Sequence, residues 1–387
     1  MESSAGGKYW SLSPQGHLVI RKGFTMTKSV GWKFFSLRDK VHSAEVEEGI
    51  TDLPSGCLEY FSGMEGVSLP STLLTIGQNA FQSCSSLREI SLPPSLRSIG
   101  QFAFHECYAL ERIHIPASVE KMDTLGVYVG EGNLREITVD PANPYYVSAG
   151  GVLFSKDMTR LILYPCNSRR RVYRIPETVK VICDSAFSYA KYLHRIEIPS
   201  HLEKMESSVF SFCSRLESLS FPETLEGIPS YAFFCCDALT SLTLPRKVKY
   251  LGYESICNCT SLKEVKVPEG FTQVDYAALA GDPLVEELVI PEGVTEIGNS
   301  GFIDDTGLKR IVLPESLESI WEYAFQRCSS LEEITIPCKV NYISDDAFSG
   351  CTSLKRVYLE SPFIVRDDFV PEGVEVIRNL RQGEDDA

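Results

Sequence analysis

The stretch that decides the fold runs from Ile334 to Leu354, ITIPCKVNYISDDAFSGCTSL. Ile334 and Ile336 flank Thr335 and stop at Pro337, the pattern of a short half-buried strand ended by a residue that cannot donate to a ladder. Ile343 lies six positions past the proline, Ala347-Phe348 ten and eleven past it, Cys351 fourteen and Leu354 seventeen. The same wording recurs along the chain. Prolines stand at 70, 93 and 116 and again at 176, 199, 222, 245, 268, 291, 314 and 337. Every step is 23 residues except one of 60, which is 23 + 37, so one coil carries a 37-residue insertion. Glu47 and Glu360 occupy the proline position one period outside the series, which makes thirteen coils.

Each repeated position has a physical role. A unit of this size cannot bury its own apolar face, so neighbours must stack and align their strands into a parallel sheet. Position +6 adds an aliphatic residue or methionine, as in Ile76, Ile99, Met205 and Ile320. At +10 and +11 a small residue precedes a large one, as in Ala80-Phe81, Ala103-Phe104, Ala186-Phe187 and Ala324-Phe325. That segment suits a single turn opposite the sheet, with the phenylalanine filling the interior. Position +14 repeats cysteine at 84, 107, 213, 236, 259, 328 and 351. Stacked coils place such Cα atoms ~5 Å apart, within disulfide range. The side chains point the same way, however, and the total of thirteen cysteines is odd, so the column reads as a ladder of reduced, buried thiols.

These residues resemble the leucine-rich repeats of BspA-type bacterial surface proteins, a 23-residue class, over roughly residues 46–370. The resemblance implies an α/β leucine-rich-repeat solenoid, a curved right-handed superhelix with a parallel concave sheet. Residues 1–45 read as an N-terminal β cap. Tyr9-Trp10-Ser11-Leu12 and His17-Leu18-Val19-Ile20 alternate around Ser13-Pro14-Gln15-Gly16 as a hairpin, and Trp32, Phe34 and Phe35 are placed to cover the first coil. The insertion, about residues 140–171, contains the apolar runs Gly151-Val152-Leu153-Phe154 and Leu161-Ile162-Leu163-Tyr164-Pro165, which predict a β-hairpin. Residues 371–387 form the C-terminal end, finishing in the acidic tail RQGEDDA.

Composition narrows the functional classes. The chain has 387 residues and a formal net charge of −15, which argues against a nucleic-acid partner and against docking on an anionic membrane. No apolar run is long enough to span a bilayer, and the opening MESSAGGKYWSLS lacks the features of a secretory signal. Reduced thiols favour a reducing compartment while the resemblance favours the cell surface, so localisation stays open. Phosphate-loop, dinucleotide, zincin and nucleophile-elbow motifs are missing from the sequence. No cofactor is expected. His105 and Cys107 lie two apart, but Cys107 is a core position, which disfavours zinc.

Recognition therefore falls to residues pointing out of the sheet, at −2 and −4 from each proline. Toward the C-terminus, Val289, Val312, Thr335 and Tyr358 form an outward stripe with apolar atoms, rimmed by Glu287, Arg310, Glu333 and Arg356. An apolar stripe with a charged rim has the anatomy of an interface. Arg169-Arg170-Arg171 is a clustered positive patch on an acidic chain, a secondary contact for an acidic partner. The expected function is a non-enzymatic, adhesin-like protein-binding scaffold whose partner is a protein, a host extracellular protein being one candidate. A glycan-binding module is the alternative, and an enzyme at the insertion, using Asp157 or His114, is the remote one.

Overall fold

The structure, a computed structural model, describes residues 5–24, 36–123 and 125–379. Two compact units make it up, residues 1–169 with 182–191 and residues 170–181 with 192–387. Each is a β-solenoid.

In the first unit, Ala5–Gly7, Trp10–Leu12 and His17–Ile20 run antiparallel, and His17–Ile20 then pairs parallel with Ser43–Val46. Ser43–Val46 pairs in turn with Gly66–Ser68, Ser43 opposite Gly66, one period on. The antiparallel strands thus carry their pairing into the first coil. Trp32, Phe34, Phe35 and the acidic tail lie outside the described residues. A second parallel sheet joins Asp52–Leu53, Thr75–Ile76, Ser98–Ile99 and Lys121–Met122, placing the +6 side chain inside.

The insertion forms three antiparallel strands, Tyr146–Ala149, Val152–Ser155 and Arg160–Leu163. The first turn is Gly150-Gly151, both at positive φ (56° and 80°), which a two-residue hairpin requires and glycine supplies without strain. The third strand rejoins the repeat. Leu161 C=O accepts from Cys183 N–H, Tyr164 N–H donates to Ala186 C=O, and the Tyr164 ring stacks on Phe187 at 5.0 Å. Tyr164 thus stands where other coils have phenylalanine, and the insertion completes a coil instead of interrupting one.

In the second unit, one sheet is continuous from Gly227 to Ile343. Gly227–Ile228, Tyr250–Leu251, Gln273–Val274, Glu296–Ile297, Ser319–Ile320 and Tyr342–Ile343 pair in order. The other is divided: Val172–Arg174, Arg195–Glu197 and Ser218–Ser220; Ser241–Thr243 with Glu264–Lys266; Glu287–Val289 with Arg310–Val312; and Glu333–Ile336, Arg356–Leu359 and Glu375–Arg378.

The α component of the expected class is corrected: among the described residues the only helix is a three-residue 3₁₀ turn, Arg38–Lys40. The reason is a periodic backbone feature. Positions +9 and +13 adopt left-handed φ in coil after coil, as at Asn79 (56°) and Ser83 (59°), Tyr231 (56°) and Cys235 (57°), and Tyr323 (57°) and Arg327 (58°). Left-handed residues cost roughly 1–2 kcal/mol each and break a right-handed helix. In return they turn alternate N–H groups toward the next coil. Asn79, Phe81 and Ser83 donate to the carbonyls of Gln101, Ala103 and His105, and Tyr231, Phe233 and Cys235 to those of Tyr253, Ser255 and Cys257. The segment opposite the sheets is therefore a third hydrogen-bonded column between coils.

Two side-chain columns fill the interior. Phe302 stacks on Phe325 at 5.4 Å and Phe325 on Phe348 at 5.2 Å, all fully buried. Cysteine Sγ atoms donate to carbonyls 26 residues earlier: Cys84 to Leu58, Cys107 to Phe81, Cys236 to Phe210, Cys259 to Phe233, Cys328 to Phe302 and Cys351 to Phe325, at 3.0–3.2 Å. Burial pushes the Cys107 and Cys351 thiols up to about 12, so the column is neutral and unreactive at physiological pH.

Candidate binding groove

Strand alternation puts Val289 and Val312 outward, and parallel pairing sets them side by side, Glu287 opposite Arg310 and Val289 opposite Val312. They are 63% and 38% exposed. Thr335 and Tyr358 pair likewise, with Glu333 opposite Arg356 and an ion pair of 3.1 Å between those two. The outward positions are thus two doublets in two separate sheets, and Tyr358 is half-buried.

A groove of about 1470 Å³ lies on this face, with Leu284, Val289 and Val312 as exposed apolar lining. It opens beside the gap in the divided sheet. Among the described residues no ladder joins Glu264–Lys266 to Glu287–Val289, so two strand edges meet there unpaired. Glu287 lines the groove as well. Thr335, Tyr358, Arg310, Glu333 and Arg356 do not.

The same coils depart from the repeat inside. At +11, Ile256 and Leu279 replace phenylalanine, and at +14, Asp282 and Asp305 replace cysteine. Both aspartates are buried. Asp282 Oδ1 accepts from Cys259 N–H at 2.7 Å, and Asp305 Oδ1 accepts from Asp282 N–H at 2.8 Å. Asp282 Oδ2 is buried with no hydrogen-bond partner among the described residues. Burial holds both carboxyls well above the usual carboxylate range, Asp305 further through the neighbouring Asp282. Sequence reasoning passed over these two residues, although the gap in the cysteine column between 259 and 328 was their signal.

The other candidates are placed less favourably for chemistry. Asp157 Oδ1 accepts from Ser155 Oγ, Thr159 N–H and Thr159 Oγ1, and these bonds hold its carboxyl below the usual range. It organises a hairpin turn. His114 Nδ1 meets Thr138 Oγ1 at 3.0 Å on an exposed strand face. His105 stacks on Tyr128 at 5.6 Å while Cys107 bonds to Phe81, so the two do not converge. Arg169, Arg170 and Arg171 are all exposed, but the boundary between the two units falls after Arg169. Arg171 C=O accepts from His194 and Arg195 N–H, and the Arg170 guanidinium lies 6.0 Å from the Tyr173 ring centroid.

The BspA type leucine rich repeat region, in 6 copies, matches residues 22–129, 164–285 and 280–369. The chain belongs to the BspA-type leucine-rich repeat family. The family match skips the strands of the insertion and resumes at Tyr164, the residue that rejoins the ring column. A leucine-rich repeat protein from Eubacterium ventriosum is 26% identical, covering 89% of this chain and 92% of its own, at a TM-score of 0.66. The pneumococcal vaccine antigen PcpA is 22% identical over 88% of this chain and 80% of its own, TM-score 0.52. A leucine rich cell surface protein from Faecalibacterium prausnitzii is 20% identical over 81% and 95%, TM-score 0.50. No curated protein matches the chain. The BspA-type fold is generally a non-enzymatic scaffold, and no helix among the described residues is long and apolar enough to cross a membrane.

Proposed function

We propose that the protein is a protein-binding scaffold that engages its partner on the outward strand face of the second unit, centred on Val289 and Val312. The observation that carries this reading is the groove beside them, where exposed aliphatic side chains and unpaired strand edges coincide. Surface display and an adhesin-like role follow the family, and a host extracellular protein is the partner class that fits such display. A glycan is disfavoured because the groove has no aromatic ring in its lining on which a pyranose could stack. Pull-downs from host and bacterial extracts, run beside a glycan array, test the assignment, with Val289→Glu/Val312→Glu as control bait. A partner retained by the wild type and lost from the variant, with melting unchanged, supports it. Equal retention by both baits, or binding confined to the glycan array, refutes it.

A further inference from the structure

We infer that the groove takes an extended, cationic segment of its protein partner, with aliphatic side chains set into the floor and lysine or arginine on the rim. This deepens the scaffold reading and rests on it. Three observations converge. The first is volume: about 1470 Å³ exceeds the ~300–1,000 Å³ of ordinary small-molecule pockets and suits several residues of chain.

The second is charge. Five glutamates (Glu264, Glu269, Glu286, Glu287 and Glu292) against Lys263 and Lys266 leave the lining at a net charge of −3. Lys266 is already engaged by Glu264 at 3.2 Å, Glu286 by Lys309 at 2.9 Å, and Glu292 accepts the N–H groups of Glu315 and Ser316. Glu269 and Glu287 have no ion pair among the described residues, and Arg310, in register with Glu287, does not line the groove. Two carboxylates beside an aliphatic floor select a cation flanked by an apolar side chain.

The third is the backbone. Glu264–Lys266 and Glu287–Val289 run side by side without a ladder, their Cα atoms within 8 Å, so no chain fits between them and an extended segment lies across their outward side chains instead. An extended segment alternates its side chains, so one face meets Leu284, Val289 and Val312 while the other reaches the glutamates.

The test uses the full chain and three fluorescein-labelled, capped heptapeptides: alternating Val/Lys, alternating Val/Glu, and alternating Ser/Lys. Binding is read by anisotropy at fixed salt. The expected result is saturable binding of Val/Lys, at least ten-fold weaker binding of the other two, and a ten-fold loss for Glu269→Lys/Glu287→Lys with the melting temperature unchanged. The milder Glu269→Gln/Glu287→Gln pair should fall between, which guards against a folding defect in the charge reversal. Equal affinity for Val/Glu, no binding of Val/Lys, or indifference to both glutamate variants overturns the inference. The scaffold reading fails separately. A pulled-down partner lost from Val289→Glu/Val312→Glu but undisturbed by Glu269→Lys/Glu287→Lys, and not displaced by Val/Lys, would leave the scaffold standing and remove only the cationic segment.

Discussion

The coils from Phe302 to Leu354 and those from Ile256 to Asp305 share a period, a backbone and the one coil that holds both Phe302 and Asp305, yet they spend their interiors differently. In the first region Phe302, Phe325 and Phe348 stack ring on ring, and Cys328 and Cys351 each return a thiol to a carbonyl. In the second, Ile256 and Leu279 break the ring column, Asp282 and Asp305 break the thiol column, and a small cluster of Cys257, Ala277 and Ala280 packs instead. The groove opens on the strands of that second region. The lesson is that the consensus positions secure the stack, while departures from them cluster where the surface has a shape to offer.

The largest effect expected from probing this contrast is at Phe325, which is stacked on both sides. Phe325→Ala should cost about 3–5 kcal/mol in denaturant unfolding, with hydrogen exchange showing the loss centred on its own and adjacent coils. Leu279→Ala should cost less, about 2–4 kcal/mol, because no ring stack is lost with it. Equal costs would mean that the ring column adds nothing beyond buried volume.

Restoring the thiol column should act in the opposite direction. Asp282→Cys/Asp305→Cys is expected to stabilise the protein at neutral pH by about 1–3 kcal/mol, since two buried carboxyls are replaced by neutral donors. The pH dependence has a defined sign. In the unfolded chain these groups ionise near pH 4, whereas in the fold burial keeps them protonated to higher pH. Their favourable contribution is complete below about pH 4 and is lost as pH rises toward their folded values. The difference in melting temperature between the double variant and the wild type should therefore widen from pH 5 to pH 7. A constant difference would show that both carboxyls are already ionised in the fold.

Smaller again is the effect at the exposed ion pairs between coils. Arg327 forks onto Asp304, with its Nε 2.5 Å from Oδ1, and both side chains are about half exposed. Arg327→Ala should cost no more than about 1 kcal/mol and should be masked by salt. A final check separates the thiols by access and leaves stability untouched. Cys338, half-buried, should react promptly with a thiol reagent in the native protein, while Cys107 and Cys351 wait for unfolding.

Much of this was legible in the sequence because stacking makes every coil solve the same packing problem. The alternation at Ile334 and Ile336, the stop at Pro337 and the recurrence of Phe348 and Cys351 specify strand, corner and core without reference to any other part of the chain. The absence of helix was harder to read, since left-handed φ at +9 and +13 falls on residues as unlike as Asn79, Tyr231 and Arg327. Their conformation is imposed by the neighbouring coil's carbonyls, a non-local cause that no single residue type signals. The site was half visible. Val289 and Val312 follow from alternation, but the gap between Glu264–Lys266 and Glu287–Val289 is a property of how two coils fit, so Thr335 and Tyr358 read as members of a continuous stripe that the sheet divides.

The outward donation of N–H groups from positions +9, +11 and +13 carries a consequence for growth. A helix would close most of those bonds within itself and leave only its terminal groups open, whereas here coil after coil depends on the carbonyls of its successor. Removing part of a coil would strand a row of donors and invite a second chain to supply the missing acceptors. Length can change without penalty only in whole twenty-three-residue steps, or by a detour such as the three-stranded insertion, which leaves the axis and returns to it with Tyr164 in phase.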